Sequence, residues 1–338
     1  MAQKGYYRPA EQKETSMTQA TSDNLDTLAE YLRGFRDAGA ATGLDDVVSA
    51  IGLATRAIAN KVRRARIGDD VIGTAGETNV QGEEQQKLDV IANDILIQVL
   101  SRCPSVGVLG SEEEDEVVVV GSGEYGVLFD PLDGSSNIDV AAGVGTIFSV
   151  LRTAGAAGEA AQAVLQPGRD QVAAGYVLYG SSVLLVLTLG DGVDMFVLDP
   201  ELGDFVLVSR QLKVPREKKV RSINGAYRLD FSEGFQSYLA WTEENGYGSR
   251  YIGSMVADVH RTLLKGGVFL YPATGKAPAG KLRLMYEANP MSMLIEQAGG
   301  AAQTGEGRIQ DVVPDALHQR IPVILGSAAE VEQVLSHL

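Results

Sequence analysis

The chain has 338 residues, 45% apolar and 22% charged, a composition typical of a globular protein large enough for two domains. A formal net charge of −15 without a basic stripe disfavours nucleic acid and anionic membranes as partners, and no apolar run approaches the roughly 18–20 residues of a membrane span. The single cysteine, Cys103, excludes an intrachain disulfide, a cysteine zinc site and a dithiol switch, so we expect any metal to be held by oxygen.

The N-terminal third is predicted to be helical. Residues 1–23 are polar without an apolar core, which predicts a flexible tail and a cytoplasmic protein. Helical spacing follows over 25–35 with Asn24 as N-cap, and a longer apolar face over 44–62 ends in arginines and Gly68. A third helix is predicted over 85–100, where Asp89 alone is typical of a solvated surface acid.

Acidic clusters end two neighbouring predicted strands. A strand over 106–109 runs into the acidic run 112–116, and an apolar strand over 126–129 stops at Asp130 before a tight turn through Asn137. An Asx-type turn is the commoner interpretation of the second segment. However, two carboxylates three positions apart, a carbonyl and a Gly-Ser-Ser backbone can hold hard cations beside a phosphate. We interpret this segment as half of a magnesium-dependent sugar phosphatase site.

The rest of the chain is predicted to form an antiparallel layer and then a second domain. Strands over 146–151, 172–178, 183–189 and 193–198 form a largely antiparallel sheet under helices, an α+β layer. The composition becomes basic at 213–221, and we place the boundary near Val206, which gives domains over 24–205 and 206–338. The second domain alternates helices and strands as an α/β unit. Ser254 is predicted to cap one helix, and Asn289 is predicted to cap another.

A predicted strand over 281–287 can complete the site from the second domain. Hydrolysis of a phosphate monoester needs cations that neutralise the phosphoryl and leaving oxygens, and a group that activates water. Glu287 can close the metal shell, while Lys281 and Arg283 can neutralise a bound phosphate. Candidate sugar and phosphate contacts, each of which could instead be an amphipathic side chain at a surface or domain seam, are Asn224, Tyr227, Arg250, Tyr251 and Tyr271.

Five motifs together resemble those of class I fructose-1,6-bisphosphatases, from about residue 24 to the C-terminus. They occupy 88–94, 111–113, 130–139, 253–263 and 280–287. The segment 130–136 alone marks the wider lithium-sensitive phosphatase superfamily, which includes inositol monophosphatases, whereas the last two motifs are more specific to bisphosphatases. The resemblance implies a layered αβαβα sandwich of two domains, the sugar phosphatase fold, and a homotetramer.

The resemblance also implies a role for each matching residue. Two or more Mg²⁺ ions per subunit, with Mn²⁺ as a possible substitute, would be held by Glu112, Asp130, the Leu132 carbonyl, Asp133 and Glu287. Glu113 would be a further ligand or base, and would orient and deprotonate the attacking water together with Asp89. The 1-phosphate would be bound by Gly134, Ser135, Ser136 and Arg283, and Lys281 would contact sugar and phosphate. The 6-phosphate would be held by Asn224, Tyr227, Tyr251, Tyr271 and, from a neighbouring subunit, Arg250.

The chain departs from AMP-inhibited relatives around the helix predicted to begin near residue 44. It keeps Thr42, Gly43, Tyr125 and Arg152 of their nucleotide pattern. It has Asp46 where that pattern has a hydroxyl and Glu124 where it has a lysine. Two acids facing a phosphate would repel it, so we expect weak or absent AMP inhibition. A second departure is Gly225-Ala226 in place of the usual Glu-Gly, which leaves the fine substrate preference open.

The leading hypothesis is removal of the 1-phosphate of fructose 1,6-bisphosphate to give fructose 6-phosphate in gluconeogenesis. A close rival is the same chemistry on sedoheptulose 1,7-bisphosphate, since one pocket can accept both. An inositol-phosphate phosphatase is disfavoured by the 281–287 segment and the tyrosine set. A non-catalytic metabolite sensor is disfavoured because a binding module has no need of a water-activating acid such as Asp89.

Overall fold

The computed structural model describes residues 26–39, 42–65, 67, 73–78, 84–153 and 160–338. The predicted tail, the Asn24 cap and the Gly68 helix stop lie outside these residues. Within them, no helix is both long and apolar enough to cross a membrane.

The first three helices occur in the predicted order, but the first of them begins later than predicted. They are α1 (Leu28–Asp37), α2 (Leu44–Arg63) and α3 (Lys87–Leu100), with the hairpin strands β1 (Thr74–Thr78) and β2 (Glu84–Gln86) before α3. Helix α1 begins at Leu28 rather than at residue 25 because Thr27 and Glu30 form a capping box. Thr27 N donates to Glu30 Oε2 at 3.0 Å, and Glu30 N donates to Thr27 Oγ1 at 3.3 Å.

An eight-stranded sheet occupies most of the first half. Its strands are β3 (Val106–Ser111), β4 (Val118–Val119), β5 (Tyr125–Asp133), β6 (Val144–Arg152), β7 (Gln171–Tyr179), β8 (Val183–Thr188), β9 (Asp194–Asp199) and β10 (Asp204–Ser209), with a short helix α4 (Ala160–Val164). The spatial order is β10-β9-β8-β7-β6-β5-β3-β4. All neighbours are antiparallel except β3 and β5. The predicted antiparallel layer is therefore confirmed, and the acidic ends of β3 and β5 lie side by side.

A five-stranded sheet forms the second half. The elements are β11 (Val220–Ser222), α5 (Glu233–Glu244), β12 (Gly248–Ser249), α6 (Met255–Lys265), β13 (Val268–Tyr271), β14 (Leu282–Arg283), α7 (Asn289–Gln297), β15 (Ala301–Gln303), β16 (Arg320–Ile321), β17 (Val323–Gly326) and α8 (Ala328–Leu335). The sheet order is β12-β11-β13-β17-β15, and β14 pairs with β16 outside it.

Three hydrophobic clusters stack these elements in five layers. The first packs α1, α2 and α3 on one face of the eight-stranded sheet. The second fills the space between the two sheets with side chains of α6 and α7. The third packs α5 and α8 on the outer face of the five-stranded sheet. The fold is thus the expected αβαβα sandwich. Val206 lies inside β10, so we propose the connection 210–219 between the two sheets as the domain division.

The predicted strand over 281–287 is wrong beyond Arg283. Only Leu282 and Arg283 form a strand, and a π-helical turn, Leu284–Ala288, follows and runs into α7. Glu287 Oε2 accepts a hydrogen bond from Arg283 N at 2.6 Å, so the side chain of Glu287 closes this turn onto the end of β14. The continuous turn also removes the need for an N-cap, so Asn289 is the first residue of α7 and not its cap.

Candidate active site

A buried carboxylate cluster lies where β5 meets the π-helical turn. Oxygen atoms of Asp130, Asp133 and Glu287 all lie within 4.8 Å of one another, and all three residues are buried. Strand β5 runs on to Asp133, so both aspartates belong to the strand and the predicted turn begins only at Gly134. Glu112 is brought beside them because its N–H bonds the Phe129 carbonyl of β5 at 3.1 Å.

Local hydrogen bonds fix these groups in place. Asp130 Oδ1 accepts from Leu132 N at 2.9 Å, and Thr146 Oγ1 holds the Pro131 carbonyl at 2.9 Å. The guanidinium of the buried Arg283 lies 3.2 Å from Glu112 Oε1. The predicted metal ligands are therefore together at one end of β5, with one arginine beside them.

Asp133 also contacts the N-terminus of α6. Its carboxylate accepts from Ser254 Oγ at 2.7 Å, Met255 N at 3.2 Å and Val256 N at 2.8 Å. The next residue, Gly134, has φ 74°, and a Cβ there would lie 2.6 Å from Ser254 Cβ. Only glycine therefore fits between the metal cluster and α6.

The electrostatics of the cluster fit a cation site. Burial, followed by the charge of Glu112, raises the pKa of both Asp130 and Glu287 well above the usual range. Burial also raises the pKa of Asp133, although the hydrogen bond from Ser254 opposes the rise. Buried acids this close together, with Arg283 beside them, are unfavourable unless cations or protons neutralise the remaining charge. Because every donor is oxygen, the residues present fit hard divalent cations.

We expect the chelated protein to become more stable as pH falls from about 8 to about 6.5, a range above that in which the buried His260 and His318, whose pKa values are lowered, would oppose the effect. Raised carboxyl pKa values mean that the folded state binds more protons than the unfolded state at these pH values. The stabilisation is therefore present at low pH and is lost as pH rises through the raised values. Mg²⁺ should raise the melting temperature, and more at about pH 8 than at about pH 6.5, since protons compete for its ligands. Thermal melts with chelator or excess Mg²⁺ measure both effects. A melting temperature that rises with pH in chelator would contradict this expectation.

Asp89 lies beside the cluster in the first turn of α3. It is buried, so the interpretation of Asp89 alone as a solvated surface acid is wrong. Its Oδ2 accepts from Gln86 N at 3.0 Å, while the buried Oδ1 makes no hydrogen bond within the described part of the chain. Burial raises the pKa of Asp89 to about 7, and the charge of Glu113 adds to the rise. A carboxylate with this pKa can take a proton near neutral pH.

Asn93, one turn after Asp89 on α3, holds the acidic segment after β3. Its Oδ1 accepts from Ser111 Oγ at 2.7 Å, and its Nδ2 donates to Glu114 Oε1 at 2.7 Å. The Ser111 hydroxyl in turn accepts from Glu113 N at 3.2 Å. One asparagine therefore links the helix of Asp89 to the backbone of Glu113, a function that the sequence pattern did not reveal.

Two adjoining cavities contain nearly all the predicted site residues. The metal cavity is lined by the cluster, Asp89, Glu113, Leu132, Gly134 to Ser136, Tyr251 and Arg283. The second cavity is lined by Asn224, Tyr227, Asp230, Phe231 and Lys276, among others. Tyr271 and Lys281 line both. Arg250 lines neither cavity and is exposed. Its Nη1 donates to the carbonyl of the preceding residue, Ser249, at 2.7 Å.

Several residues that the sequence interpretation did not assign to the site also line the metal cavity. Three of them, Ser254, Met255 and Asp258, lie at the start of α6. Ser254 was predicted only as a helix cap, a role that it has through Ala257 N. Its contact with Asp133 spans 121 positions, so helical spacing alone could not have indicated it.

Glu124, the acid that replaces the lysine of the nucleotide pattern, pairs with Arg152 of the same pattern. Glu124 Oε2 lies 3.3 Å from Arg152 Nη1, and the Arg152 guanidinium stacks 5.3 Å from the Tyr125 ring centroid. This pairing reduces the positive charge available to a nucleotide phosphate. We expect a titration with AMP to leave turnover nearly unchanged, and inhibition at micromolar AMP would contradict this. Glu124→Lys is the matched variant, in which AMP sensitivity should increase.

Comparison with known proteins gives one consistent answer. A family profile described as "Fructose-1-6-bisphosphatase, N-terminal domain" matches residues 27–210, and the corresponding C-terminal profile matches 214–338. The chain is 46% identical over 319 residues to Bos taurus fructose-1,6-bisphosphatase isozyme 2, covering 92% of this chain and 94% of the relative. It is 44% identical to Rattus norvegicus fructose-1,6-bisphosphatase 1, covering 92% and 88%. The crystal structure of Leishmania major fructose-1,6-bisphosphatase in holo form is similar, with a TM-score of 0.89, 41% identity and coverage of 93% and 99%.

Proposed function

The chain belongs to the fructose-1,6-bisphosphatase family, and from this membership we propose that it hydrolyses the 1-phosphate of fructose 1,6-bisphosphate with Mg²⁺. It is a phosphoric monoester hydrolase, and its products are fructose 6-phosphate and phosphate. The observation that carries the proposal is the carboxylate cluster with its oxygens within 4.8 Å, beside a second cavity that shares Tyr271 and Lys281 with it. One cavity suits cations and the reacting phosphate, and the other suits the sugar and its distal phosphate.

We assign the metal ligands to Glu112, Glu113, Asp130, the Leu132 carbonyl, Asp133 and Glu287. When bound, divalent cations neutralise the phosphoryl oxygens and stabilise the charge on the leaving oxygen. The raised pKa values of Asp130 and Glu287 support this assignment because burial of these acids without a counter-charge is costly. Mg²⁺ is favoured over softer metals because the donors are carboxylates and a carbonyl, and Mn²⁺ is an expected substitute.

Asp89 and Glu113 are proposed to orient the attacking water and take its proton. The Asp89 carboxylate is held by Gln86 N at Oδ2, which leaves Oδ1 as the proton acceptor. The pKa of Asp89 is about 7 in the metal-free protein, and bound cations would lower it, so the carboxylate is ionised and can take a proton at neutral pH. The Asn93–Ser111 hydrogen bond keeps the Glu113 backbone at a fixed position relative to α3.

The remaining predicted residues are proposed to bind the substrate. Gly134 has a left-handed conformation and begins a 3₁₀ turn, Ser135–Val140. The backbone N–H groups at the start of such a turn suit phosphate oxygens. Arg283 would add positive charge, and Lys281 would contact both the sugar and a phosphate. The distal phosphate would be held by Asn224, Tyr227, Tyr251, Tyr271 and the Arg250 of a neighbouring subunit.

We further propose a homotetramer, which the exposed position of Arg250 outside both cavities supports. An arginine that lines neither of these two cavities of its own chain can serve the site of a neighbour. Size-exclusion chromatography with light scattering tests the assembly. The cytoplasmic location stays a prediction from the sequence.

A substrate panel tests the proposed function. Phosphate release should be measured with Mg²⁺ against fructose 1,6-bisphosphate, sedoheptulose 1,7-bisphosphate and inositol monophosphate, with a chelated control. We expect fast Mg²⁺-dependent release from fructose 1,6-bisphosphate and little from inositol monophosphate. Comparable rates on the two bisphosphates would indicate a dual bisphosphatase. The absence of Mg²⁺-dependent release from either bisphosphate would refute the proposal.

A further inference from the structure

We propose that Asp258 is a positioning residue that sets the affinity for the distal phosphate by fixing the segment that precedes Asn224 and the segment that follows Tyr251. This inference rests on the proposed function. Asp258 lies in the first turn of α6 and is 1% exposed. It lines the metal cavity, yet its carboxylate is fully engaged with protein donors.

The donors to Asp258 come from two segments outside α6. Ser222 Oγ donates to Oδ1 at 2.7 Å from the end of β11. The N–H of Ile252 lies 3.0 Å from Oδ1 and 3.1 Å from Oδ2, and the N–H of Gly253 lies 3.0 Å from Oδ2. An acid in the first turn of a helix commonly stabilises the helix dipole. That role does not require donors from two other segments.

Each segment leads directly to a predicted phosphate contact. Ser222 is two residues before Asn224, which lines the second cavity. Ile252 and Gly253 follow Tyr251, which lines the metal cavity and whose phenol lies beside the Asn224 side chain. The Asp258 carboxylate therefore holds the segment before Asn224 and the segment after Tyr251. Because this carboxylate is buried, its contacts with the two segments are rigid.

The same helix turn holds the metal cluster, but through different atoms. Asp133 is bound by Ser254 Oγ and by the N–H groups of Met255 and Val256, whereas the Asp258 carboxylate faces the backbone N–H of Ser254 rather than its hydroxyl. Loss of the Asp258 contacts should therefore loosen the distal-phosphate segments more than the metal ligands. Substrate affinity should therefore change more than Mg²⁺ affinity when these contacts are lost.

The decisive variants are Asp258→Asn and Ser222→Ala, with Thr262→Val as the matched control. Thr262 is buried like Ser222 and donates to the Asp258 carbonyl at 2.9 Å, without contact to either segment. For Asp258→Asn we expect KM for fructose 1,6-bisphosphate to rise about 10- to 100-fold, and for Ser222→Ala about 3- to 10-fold. Thr262→Val should change KM less than about twofold.

Two further readouts separate positioning from general damage. The kcat/KM for fructose 1-phosphate, which lacks the distal phosphate, and the Mg²⁺ concentration for half-activation should both stay within about threefold in Asp258→Asn. Equal losses on fructose 1-phosphate, or a matching shift in Mg²⁺ half-activation, would overturn the inference. If Asp258→Asn does not fold, the comparison of Ser222→Ala with Thr262→Val decides, and equal KM values for the two would overturn it.

Calorimetry of fructose 6-phosphate binding in chelator measures the affinity of the distal-phosphate segments without any need for catalysis. If the unmodified enzyme hydrolyses neither bisphosphate, the proposed function fails and binding alone decides the inference. Fructose 6-phosphate should bind Asp258→Asn and Ser222→Ala more weakly than Thr262→Val. Equal affinities, or no binding to the unmodified protein, would contradict the assigned role of Asp258.

Discussion

Asp133→Asn will lower the Mg²⁺-dependent kcat/KM by about 1,000-fold or more while leaving the fold intact, because metal stabilisation of the transition state amounts to several kcal/mol. The substitution removes one charge from a buried cluster whose oxygens lie within 4.8 Å. The asparagine carbonyl can still accept from Met255 N or Val256 N, so the start of α6 keeps a capping partner. Circular dichroism, melting temperature and steady-state kinetics measure the two effects separately.

Ser254→Ala is the graded control for this variant. It removes one hydrogen bond to Asp133 Oδ2 but leaves the carboxylate as a ligand. A loss of about 3- to 30-fold, with a raised Mg²⁺ half-activation, is the expected result for a group that only orients a ligand. If Asp133→Asn kept a near-normal rate, or if both variants lost activity equally, the metal assignment would be wrong.

Asp89→Asn will lower kcat by about 100- to 10,000-fold, the usual contribution of a general base. KM and the Mg²⁺ half-activation should change little, because no ligand is removed. A base works only when ionised, so activity of the unmodified enzyme should fall as pH drops through the pKa of Asp89, which is about 7 in the metal-free protein. Bound cations should lower that pKa, and the acidic fall should disappear in the variant. Kinetics across pH 5.5 to 9 provide the measurement.

The neighbouring acid on α3 gives a matched control for Asp89→Asn. Asp94 lies on the same helix but is exposed, so Asp94→Asn loses the same charge without contact with the cavity. Its kcat should equal that of the unmodified enzyme within about twofold. A similar loss in both variants would indicate an effect of net charge or helix stability rather than of proton transfer.

Local pattern was enough to predict one half of the site. The apolar run before Asp130 predicts a buried strand, and the acids that follow a second strand place Glu112 beside it, since strands β3 and β5 are parallel neighbours. The alternation of apolar and polar residues predicted the wrong element at Glu287. Every residue from Leu284 to Ala288 is buried, so the periodicity there carries no information. A side chain–backbone bond from Arg283 N to Glu287 closes the turn there, and the sequence pattern gives no sign of it.

Contacts between distant segments could not be predicted from the pattern alone. In the sequence Asp89 resembles an ordinary helix-face acid because the acids that act on it, Glu112 and Glu113, are distant along the chain and lie near it only after folding. Asp258 likewise matches an ordinary first-turn acid until Ser222 and Gly253 are brought to its carboxylate. Motif resemblance supplied the role of Asp89, and only the folded chain revealed that of Asp258.

The most direct test of the central claim is ³¹P NMR of fructose 1,6-bisphosphate incubated with the enzyme, with Mg²⁺ and in parallel with a chelator. Loss of the 1-phosphate signal should match the growth of fructose 6-phosphate and inorganic phosphate, and the chelated sample should stay unchanged. Fructose 1-phosphate as the product, or an equal rate in chelator, would contradict a Mg²⁺-dependent site that cleaves the phosphate nearest the cluster of Asp130, Asp133 and Glu287.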